Sequence, residues 1–371
     1  MNKSVAIIGT RGYPSYYGGF ETAVRRLAPY LSDQGWDVTV YGRDTSLGAN
    51  NPRADPRVKS IITAGLESKS LSTLSYGLTA CLHAMVHKPD VALVMNVANG
   101  FWLPLLRLWG IPTLVNVDGI EWDRAKWGRL AKLVFRRGAV ATARWGNRMV
   151  YDSTVIAERW RREFKVDGDF IPYGGDVPTT LPIVAGLEHR RYVLVVARFV
   201  PENSISEFFA AAAMLAESTD IVIVGSSGYG GEFDDQARSL ADDHRRIQWL
   251  GHVSDDQMLQ SLWQHAGAYF HGHSVGGTNP ALVSAMAAGS PTVARDTPYN
   301  REVLDDAGVF VRPIPEAIAA AVRSLLADPG RQEELSARAV SRATAIYSWE
   351  KVCGAYEAAL SVLVERKRSS R

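Results

Sequence analysis

The sequence predicts an α/β fold of two doubly wound domains, each a parallel sheet with helices on both faces. Short β-rich apolar runs alternate with segments of helical length, which is the pattern of parallel strands joined by helices. A stretch rich in Pro, Gly and Thr interrupts this alternation once, and a second series follows it. The length of 371 residues also exceeds what one hydrophobic core usually serves.

Each series supplies five predicted strands. The strands of the first series are residues 5–8, 38–41, 91–95, 113–117 and 149–152. The strands of the second series are residues 192–197, 221–224, 247–250, 268–271 and 292–294. We therefore expect a first domain at 1–172, a linker at 173–190 and a second domain at 191–348. Since ligands of open parallel sheets bind beyond the carboxyl ends of the strands, we expect the active site in a cleft between the domains.

Charge and cysteine content exclude several classes of protein. Lys and Arg total 41 and Asp and Glu total 39, so the net charge of +2 gives no global attraction for nucleic acid. Cys81 and Cys353 lack the spacing of a disulfide framework or a zinc site, which fits a reducing cytoplasm. The apolar run at 5–8 is too short for a signal peptide, and the one at 91–117 is broken by Asn, Pro and Arg. We expect a cytoplasmic protein without a transmembrane segment.

A glycine-rich loop follows the first predicted strand. It contains Gly9, Gly12, Gly18 and Gly19 and leads into a helical pattern at 22–31. Glycines let backbone N–H groups approach an anion, and the positive end of the helix dipole points to the same place. The loop therefore predicts phosphate or sugar binding, although its spacing matches neither dinucleotide-binding nor phosphate-loop motifs. A simple glycine-rich turn is the alternative.

Arg198 follows the apolar run that opens the second domain. An arginine at this strand end can neutralise a charged ligand with a bidentate fork of N–H groups. A solvated surface arginine is the alternative.

The segment at 271–291 combines a strand end, a glycine-rich turn and a short helix. Pro280 stands near the first helical turn and Gly289 at the end, which is the usual asymmetry of a short helix. The amides at its start predict a diphosphate site that needs no metal, while its alanine-rich face equally fits close helix packing. His271 and His273 stand two residues apart at the strand end, and one of them can face the cleft. Because no third ligand is nearby, we expect no metal site.

Two carboxylates, Asp118 and Glu121, follow a predicted strand of the first domain. Such groups can act as acid or base toward a hydroxyl. They can instead cap the next helix, a role for which Asp118 is well placed. The sequence leaves both interpretations open.

A basic segment runs from Arg124 to Arg148. Its basic residues are interleaved with Trp, Leu, Val and Phe, and it contains no acidic residue. This pattern suits the surface of an anionic membrane. A solvated basic face is the alternative.

Several long motifs, in order along nearly the whole chain, carry a resemblance to a known family. They are IGTRGYPSYYGGFET, VNVDGIEWDRAKW, IPYGGD, ARFVPEN, HGHSVGGTNP and SWEKVCGAYEAAL. Together they resemble the retaining GT-B glycosyltransferases of glycosyltransferase family 4, and more narrowly its bacterial rhamnosyltransferase-like branch.

The resemblance implies a role for individual residues. Gly18 and Gly19 would bind the distal phosphate of a nucleotide-sugar donor, and Arg198 its diphosphate. The loop at 251–254 is similar to the turn that binds the donor's base. A terminal helix at about 349–371 would cross back and complete the first domain. The full set of implied donor-binding residues is Gly18, Gly19, Arg198, Val253, His273, Gly276, Gly277, Thr278, Asn279 and Ser284.

The chain departs from the family pattern at three positions. Asn203 stands where many relatives have a lysine, although the narrower branch shares the asparagine. Ser284 stands where a glutamate usually binds the donor ribose, and Ser274 where an acidic residue is often found. A serine hydroxyl can still bind a ribose, but without the strength that charge gives to a hydrogen bond.

The implied activity is that of a retaining hexosyltransferase with dTDP-L-rhamnose as the expected donor and neither metal nor cofactor. The implied catalytic residues are Asp118, Glu121 and Arg198, and the implied acceptor is a lipid-diphosphate-linked sugar or a cell-surface polysaccharide. We expect a cytoplasmic enzyme that can lie peripherally on the inner face of the plasma membrane. A degenerate nucleotide-sugar-binding protein and a nucleotide-sugar epimerase of the same fold are the alternatives.

Overall fold

The computed structural model describes residues 3–15, 19–43, 54–66, 72–124, 127–228 and 230–369. The chain divides into two compact units, the first made of Met1–Tyr173 and Trp349–Arg371 and the second of Gly174–Ser348. The segment at 173–190, expected as a linker, is packed onto the second unit from Gly174 onward. Leu187 is buried there, and the Leu181 amide donates to Gln264 Oε1 at 2.8 Å. Its Pro and Gly content reflects irregular backbone rather than a free connection.

The first unit is built on a seven-stranded sheet in which every pair of neighbouring strands is parallel, in the order β3-β2-β1-β4-β5-β6-β7. Its strands are β1 (Ser4–Ile8), β2 (Asp37–Gly42), β3 (Lys59–Ile62), β4 (Val91–Met95), β5 (Thr113–Asn116), β6 (Arg148–Tyr151) and β7 (Gly168–Phe170). Its first five helices are α1 (Gly19–Asp33), α2 (Ser72–His87), α3 (Leu103–Leu108), α4 (Arg129–Trp145) and α5 (Thr154–Phe164).

The second unit repeats this plan with six parallel strands in the order β10-β9-β8-β11-β12-β13. Its strands are β8 (Tyr192–Val196), β9 (Asp220–Val224), β10 (Ile247–Trp249), β11 (Ala268–His271), β12 (Thr292–Arg295) and β13 (Gly308–Val311). Its helices are α6 (Ile205–Leu215), α7 (Glu232–Asp243), α8 (Asp256–His265), α9 (Pro280–Ala287), α10 (Pro298–Leu304), α11 (Pro315–Leu326) and α12 (Pro329–Ile346). The two-domain parallel architecture is therefore confirmed.

The last helix, α13 (Trp349–Ser369), belongs to the first unit, as predicted. Its buried residues recur every three or four positions, as in Val352, Tyr356, Leu360 and Leu363, so one helical stripe enters the core. The hydroxyl of Tyr356 also accepts a hydrogen bond from Asn116 Nδ2 at 2.7 Å. No helix in the described ranges is long and apolar enough to cross a membrane.

Close backbone contacts bring neighbouring strand ends together in each unit. Gly9 has a φ of 97°, and a Cβ there would lie 2.4 Å from the carbonyl oxygen of Met95. Gly225 has a φ of 132°, and its Cβ would lie 1.8 Å from the carbonyl oxygen of Ala197. Only glycine fits such positions. In each sheet the strand order reverses between two central strands, β1 and β4 or β8 and β11, where doubly wound folds bind their ligands.

Candidate functional site

Arg198 lies just beyond β8, at the point in the second sheet where the strand order reverses. Its side chain is exposed, and its guanidinium has no partner among the residues that the structure describes. Its carbonyl, by contrast, accepts a hydrogen bond from Asn203 Nδ2 at 2.8 Å, which holds the backbone in place. An unpaired guanidinium on a fixed backbone is suited to bind a phosphate or carboxylate.

A short 3-10 turn, Pro201–Asn203, ties this strand end to the loop after β11. The side-chain oxygen of Asn203 lies 2.6 Å from His273 Nδ1. The carbonyl of Glu202 accepts hydrogen bonds from both the amide and the hydroxyl of Ser274, each at 2.9 Å. The asparagine that replaces the lysine of many relatives therefore bridges two loops and adds no charge to the site.

The loop before α9 carries most of the predicted diphosphate-binding residues. Gly276 has a φ of 91°, which requires glycine, and Thr278 is buried. Asn279 caps α9, since its side-chain oxygen accepts from the Ala281 amide at 2.9 Å. In the described ranges, the amides of Gly276 and Gly277 donate to no acceptor. These two amides, rather than those capped by Asn279, are therefore available to an anion at this helix start.

Ser284 and Val253 complete the predicted donor-binding residues of this unit. Ser284 is half-buried on α9, one helical turn after Pro280. Val253 lies in the loop after β10 and packs against a hydrophobic core of the second unit that includes residues of α8 and α9. Gly251 in that loop accepts a hydrogen bond from the Gly225 amide at 2.7 Å, which joins the ends of β9 and β10. Val253 thus lies in the loop after β10, and Ser284 lies on α9, the helix that follows β11.

The two histidines of the β11 end occupy different environments. His273 is half-buried and bonded to Asn203, whereas His271 is buried beside Tyr269, with its Nδ1 3.0 Å from the tyrosine hydroxyl. Burial lowers the pKa of His271 to about 3. His271 is therefore a neutral core residue, and His273 is the histidine at the strand-end edge.

Neutral His271 makes the stability of the protein depend on pH. Below about pH 6.5 the unfolded chain takes up a proton at this residue while the folded chain does not, so stability is complete above that pH and falls toward pH 3. Between about pH 7.5 and about pH 5 we expect His271 to account for a loss of about 2 kcal/mol. Urea unfolding followed by tryptophan fluorescence at both pH values would measure it.

The control for this prediction is a His271→Gln variant, which cannot titrate. Between the two pH values, we expect the free energy of unfolding of this variant to fall by about 2 kcal/mol less than that of wild type. Equal pH dependence in wild type and His271→Gln would contradict the assignment.

Asn300 and Arg295 support the site but gave no recognisable signal in the sequence. Asn300 is buried and donates from Nδ2 to the carbonyls of His273, at 2.9 Å, and Arg295, at 2.8 Å. Arg295 Nη1 donates to Ser204 Oγ at 2.9 Å. Both residues hold the loops around Arg198 and His273. His273 is 27 residues from Asn300 and Ser204 is 91 residues from Arg295, so only the fold reveals these roles.

In the first unit, the glycine-rich loop lies at the ends of β1 and β4. Glu21, in the first turn of α1, accepts a hydrogen bond from the Arg11 amide at 3.1 Å and so holds the loop against the helix. Gly19 is the first residue of α1, as an anion site at a helix start requires. Gly18 lies outside the described residues.

Asp118 stands at the end of β5 in a left-handed conformation, with a φ of 63°. Its amide donates to Asn116 Oδ1 at 2.9 Å, and its Oδ2 accepts from Asn96 Nδ2 at 3.2 Å. Asn96 has a φ of 71° and a ψ of 134°, a strained combination that is often found at functional sites. Asp118 caps no helix, because Ile120 is the N-cap of the short 3-10 helix Glu121–Asp123 and Gly128 is the N-cap of α4, so the capping alternative is wrong for Asp118.

Glu121 has a different environment from Asp118. It is buried, and its Oε1 lies 2.6 Å from Arg124 Nε in an ion pair. Its Oε2 accepts from Trp127 Nε1 at 2.8 Å. Since both oxygens are engaged by the protein, Glu121 is better suited to hold this segment together than to act on a ligand. Asp118 is half-exposed, so it is the better candidate of the two for contact with a ligand.

The surroundings of Asp118 are acidic. Burial raises the pKa of Tyr173 well above its usual value, and the negative charges of Asp118 and Asp152 raise it further. In the described part of the chain, no group of three or more His, Cys, Asp or Glu side chains is arranged to hold a metal ion. This edge therefore offers hydrogen-bond acceptors, which suit a ligand with hydroxyl groups.

Comparisons with known proteins agree with this architecture. Residues 18–174 match the family described as glycosyl transferase 4-like domain, and residues 182–342 match glycosyl transferases group 1. These matches fall on the first and second units, and the two units together have the GT-B fold. The chain belongs to the group 1, family 4-like GT-B glycosyltransferases, which confirms the broader resemblance, while the rhamnosyltransferase branch stays a prediction.

Three curated relatives are mannosyltransferases by name. Phosphatidyl-myo-inositol mannosyltransferase of Mycolicibacterium smegmatis is 34% identical over 53% of this chain and 53% of its own length. O-antigen chain mannosyltransferase B of Escherichia coli is 29% identical over 43% of this chain and 42% of its own length. The chain thus spans about half the length of these two relatives or less. A GDP-mannose-dependent alpha-(1-6)-phosphatidylinositol dimannoside mannosyltransferase of Mycobacterium tuberculosis is 26% identical over 95% of this chain and 94% of its own length.

Solved structures show the same fold at low sequence identity. Sucrose-phosphate synthase from Thermosynechococcus elongatus has a TM-score of 0.82 at 20% identity and covers 98% of this chain and 100% of its own. Anabaena HepE in complex with UDP-glucose has a TM-score of 0.75 at 13% identity. It covers 98% of this chain and 100% of its own.

Proposed function

We propose that this protein transfers a sugar from a nucleotide diphosphate donor to a hydroxyl of an acceptor, with retention of configuration. One observation carries the proposal: the unpaired guanidinium of Arg198 and the unengaged amides of Gly276 and Gly277 stand at the strand-end edge of the second unit. Positive and dipolar groups of this kind bind a diphosphate. The family to which the chain belongs supports the same activity.

In this proposal the protein acts on the leaving group. Negative charge accumulates on the diphosphate as the glycosidic bond breaks, and preorganised donors stabilise it electrostatically. Arg198 supplies a full charge, and the two glycine amides supply dipoles. The protein then needs no metal ion for the diphosphate, so we expect transfer to continue in the presence of a chelator.

The donor sugar can be identified by a thermal-shift screen. We propose dTDP-L-rhamnose as the donor. The mannosyltransferase relatives make GDP-mannose the main alternative donor. A ligand that binds only the folded protein raises its melting temperature by mass action. We expect one nucleotide sugar to raise it well above the others, with UDP-glucose as the third donor in the panel. No shift with any nucleotide sugar would contradict the proposal.

Analysis of the products formed from the donor identified in the screen distinguishes a transferase from a binding protein and from an epimerase. Transfer to an acceptor, or slow hydrolysis of the donor, supports the transferase. Binding without either product supports a degenerate nucleotide-sugar-binding protein. A changed sugar formed from the donor alone supports an epimerase.

We propose that the first unit binds the acceptor, a lipid-diphosphate-linked sugar or a growing cell-surface polysaccharide. Asp118 is the group that orients its hydroxyl. Two relatives are named as mannosyltransferases of phosphatidyl-myo-inositol or of phosphatidylinositol dimannoside, which supports a lipid-linked acceptor.

The exposed side of α4 supports contact with an anionic membrane. Leu130, Leu133 and Val140 are 76%, 53% and 47% exposed, and Arg137 and Arg144 are exposed at the same helical spacing. Mixed apolar and basic residues on one helical stripe suit a membrane surface. Three other arginines of the predicted basic segment are engaged within the protein, where Arg124, Arg136 and Arg148 pair with Glu121, Glu163 and Asp169. The proposed membrane contact is thus confined to α4, on the inner face of the plasma membrane.

Vesicle flotation tests this contact. We expect the protein to float with phosphatidylcholine vesicles that contain phosphatidylglycerol, and less so at high salt, which screens exposed charges. Since each basic residue near such a surface contributes about 1 kcal/mol, the double variant Arg137→Ser/Arg144→Ser should bind roughly thirtyfold more weakly.

The matched control removes two exposed arginines from the second unit, as Arg191→Ser/Arg245→Ser. It should bind vesicles like wild type. Equal binding by the two double variants, or no binding by wild type, would reduce α4 to a solvated basic helix.

A further inference from the structure

A buried carboxylate without a partner lies at the strand-end edge of the second unit. Glu202, in the turn Pro201–Asn203, is 9% exposed. Both of its carboxylate oxygens are buried and receive no hydrogen bond from the residues that the structure describes. Burying an ionised carboxylate without a partner is strongly destabilising. The stability of the folded chain therefore does not explain why a glutamate is buried at this position.

The backbone of Glu202 lies between the two loops that carry the proposed diphosphate-binding groups. Its carbonyl is bonded to the amide and hydroxyl of Ser274, each at 2.9 Å. The next residue, Asn203, bonds to the Arg198 carbonyl at 2.8 Å and to His273 Nδ1 at 2.6 Å. The carboxylate is thus attached to the segment that joins Arg198 to the loop at 274–279.

The chemistry of a carboxylate restricts its ligand. An ionised carboxylate only accepts hydrogen bonds, through two oxygens, so it repels a phosphate and suits two adjacent hydroxyl groups. The transferred sugar of such a donor offers a vicinal diol, and UDP-glucose or GDP-mannose offers a second one on its ribose, whereas the deoxyribose of dTDP-L-rhamnose has none. Hydrogen bonds to a charged acceptor are also about twice as strong as neutral ones.

Two serines, Ser274 and Ser284, stand in the same loop and helix as the proposed diphosphate-binding groups. Both are half-buried. The hydroxyl of Ser274 already donates its proton to the Glu202 carbonyl. Neither serine can supply a negative charge that would strengthen a bond to a diol, whereas a glutamate in the same group of loops can.

We propose that Glu202 is a specificity-determining residue of the donor site, and that its carboxylate binds a vicinal diol of the nucleotide sugar. This inference rests on the proposed function. Because both oxygens are covered in the chain alone, donor binding must be accompanied by a movement of the Glu202 side chain or of the loop bonded to its carbonyl. The bound diol then supplies the hydrogen bonds that the carboxylate lacks.

The test is Glu202→Gln, which keeps the size of the side chain and removes its charge. Without ligand, we expect its melting temperature to equal or exceed that of wild type, because a buried unpaired charge is gone. We expect affinity for the donor, measured by calorimetry with dTDP-L-rhamnose, UDP-glucose and GDP-mannose, to fall roughly ten- to hundredfold. Unchanged or raised stability together with weaker binding is what a ligand-binding carboxylate predicts.

Titration with UDP and GDP distinguishes the two diols, and dTDP, whose deoxyribose has no vicinal diol, is the reference. If Glu202 binds the ribose, UDP or GDP loses affinity as much as its donor does, while dTDP and dTDP-L-rhamnose lose none. If Glu202 binds the transferred sugar, only the intact donor loses affinity. Either result supports the inference.

The control is Glu217→Gln, at an exposed position just after α6, which should match wild type in both measurements. A Glu202→Gln variant that binds its donor as tightly as wild type would overturn the inference. So would a variant that melts well below wild type, since Glu202 would then have a structural role. If wild type itself binds no nucleotide sugar, that result contradicts the proposed function, and with it the role of Glu202 that rests on it.

Discussion

Arg198→Ala should lower the rate of sugar transfer about 10²- to 10³-fold, the loss that follows removal of one preorganised donor to a developing charge. The guanidinium is exposed and has no partner within the described ranges, so the fold does not depend on it. We expect the stability of the variant to lie within about 0.5 kcal/mol of wild type. Because the charge on the diphosphate grows as the bond breaks, kcat should fall as well as kcat/KM.

The matched control for Arg198→Ala is Arg191→Ala, at the opposite end of the same strand. Arg191 is also exposed and immediately precedes β8, so both variants remove one surface charge from the second unit. Steady-state kinetics should show wild-type transfer for Arg191→Ala. If Arg198→Ala turned over as fast as this control, Arg198 would have no role in holding the diphosphate.

The central strands of both sheets could be predicted from the sequence because they are buried on both faces. Runs such as Val91 to Met95 are apolar throughout, and every residue of that strand is buried. The strands that were missed, β3, β7 and β13, are short, partly exposed and lie at the edges of the sheets. An edge strand covers less apolar surface, so its sequence carries little pattern.

The candidate site was predictable where a motif is local and not where contacts are distant. The glycine turn and helix start at 276–280 could be predicted from turn and capping preferences alone. The bridge from Asn203 to His273 spans 70 residues, and that from Asn300 to His273 spans 27, so no local pattern encodes them. The burial of the Glu202 carboxylate is likewise a property of the fold alone.

Asp118→Asn should lower transfer to the acceptor about 10²-fold, the loss expected when a reacting hydroxyl is no longer held in place. Asparagine tolerates the left-handed backbone at this residue, where φ is 63°, so the loop should keep its shape. Its side-chain oxygen can still accept from Asn96 Nδ2, and only the charge is lost. Donor binding, which we assign to the second unit, should not change. Kinetics at saturating donor with varied acceptor, beside calorimetry with the donor, would measure both.

Glu121→Gln is the matched comparison for Asp118→Asn, because the two carboxylates are three residues apart and lie in different environments. The variant leaves Arg124 without its ion-pair partner, and both side chains of that pair are largely buried, at 4% and 13% exposed. Losing one member of a buried pair costs about 3 kcal/mol. We therefore expect a lower melting temperature with nearly normal turnover per folded molecule, the reverse of Asp118→Asn. If Glu121→Gln were stable and slow instead, and Asp118→Asn active, the acceptor hydroxyl would be oriented by Glu121.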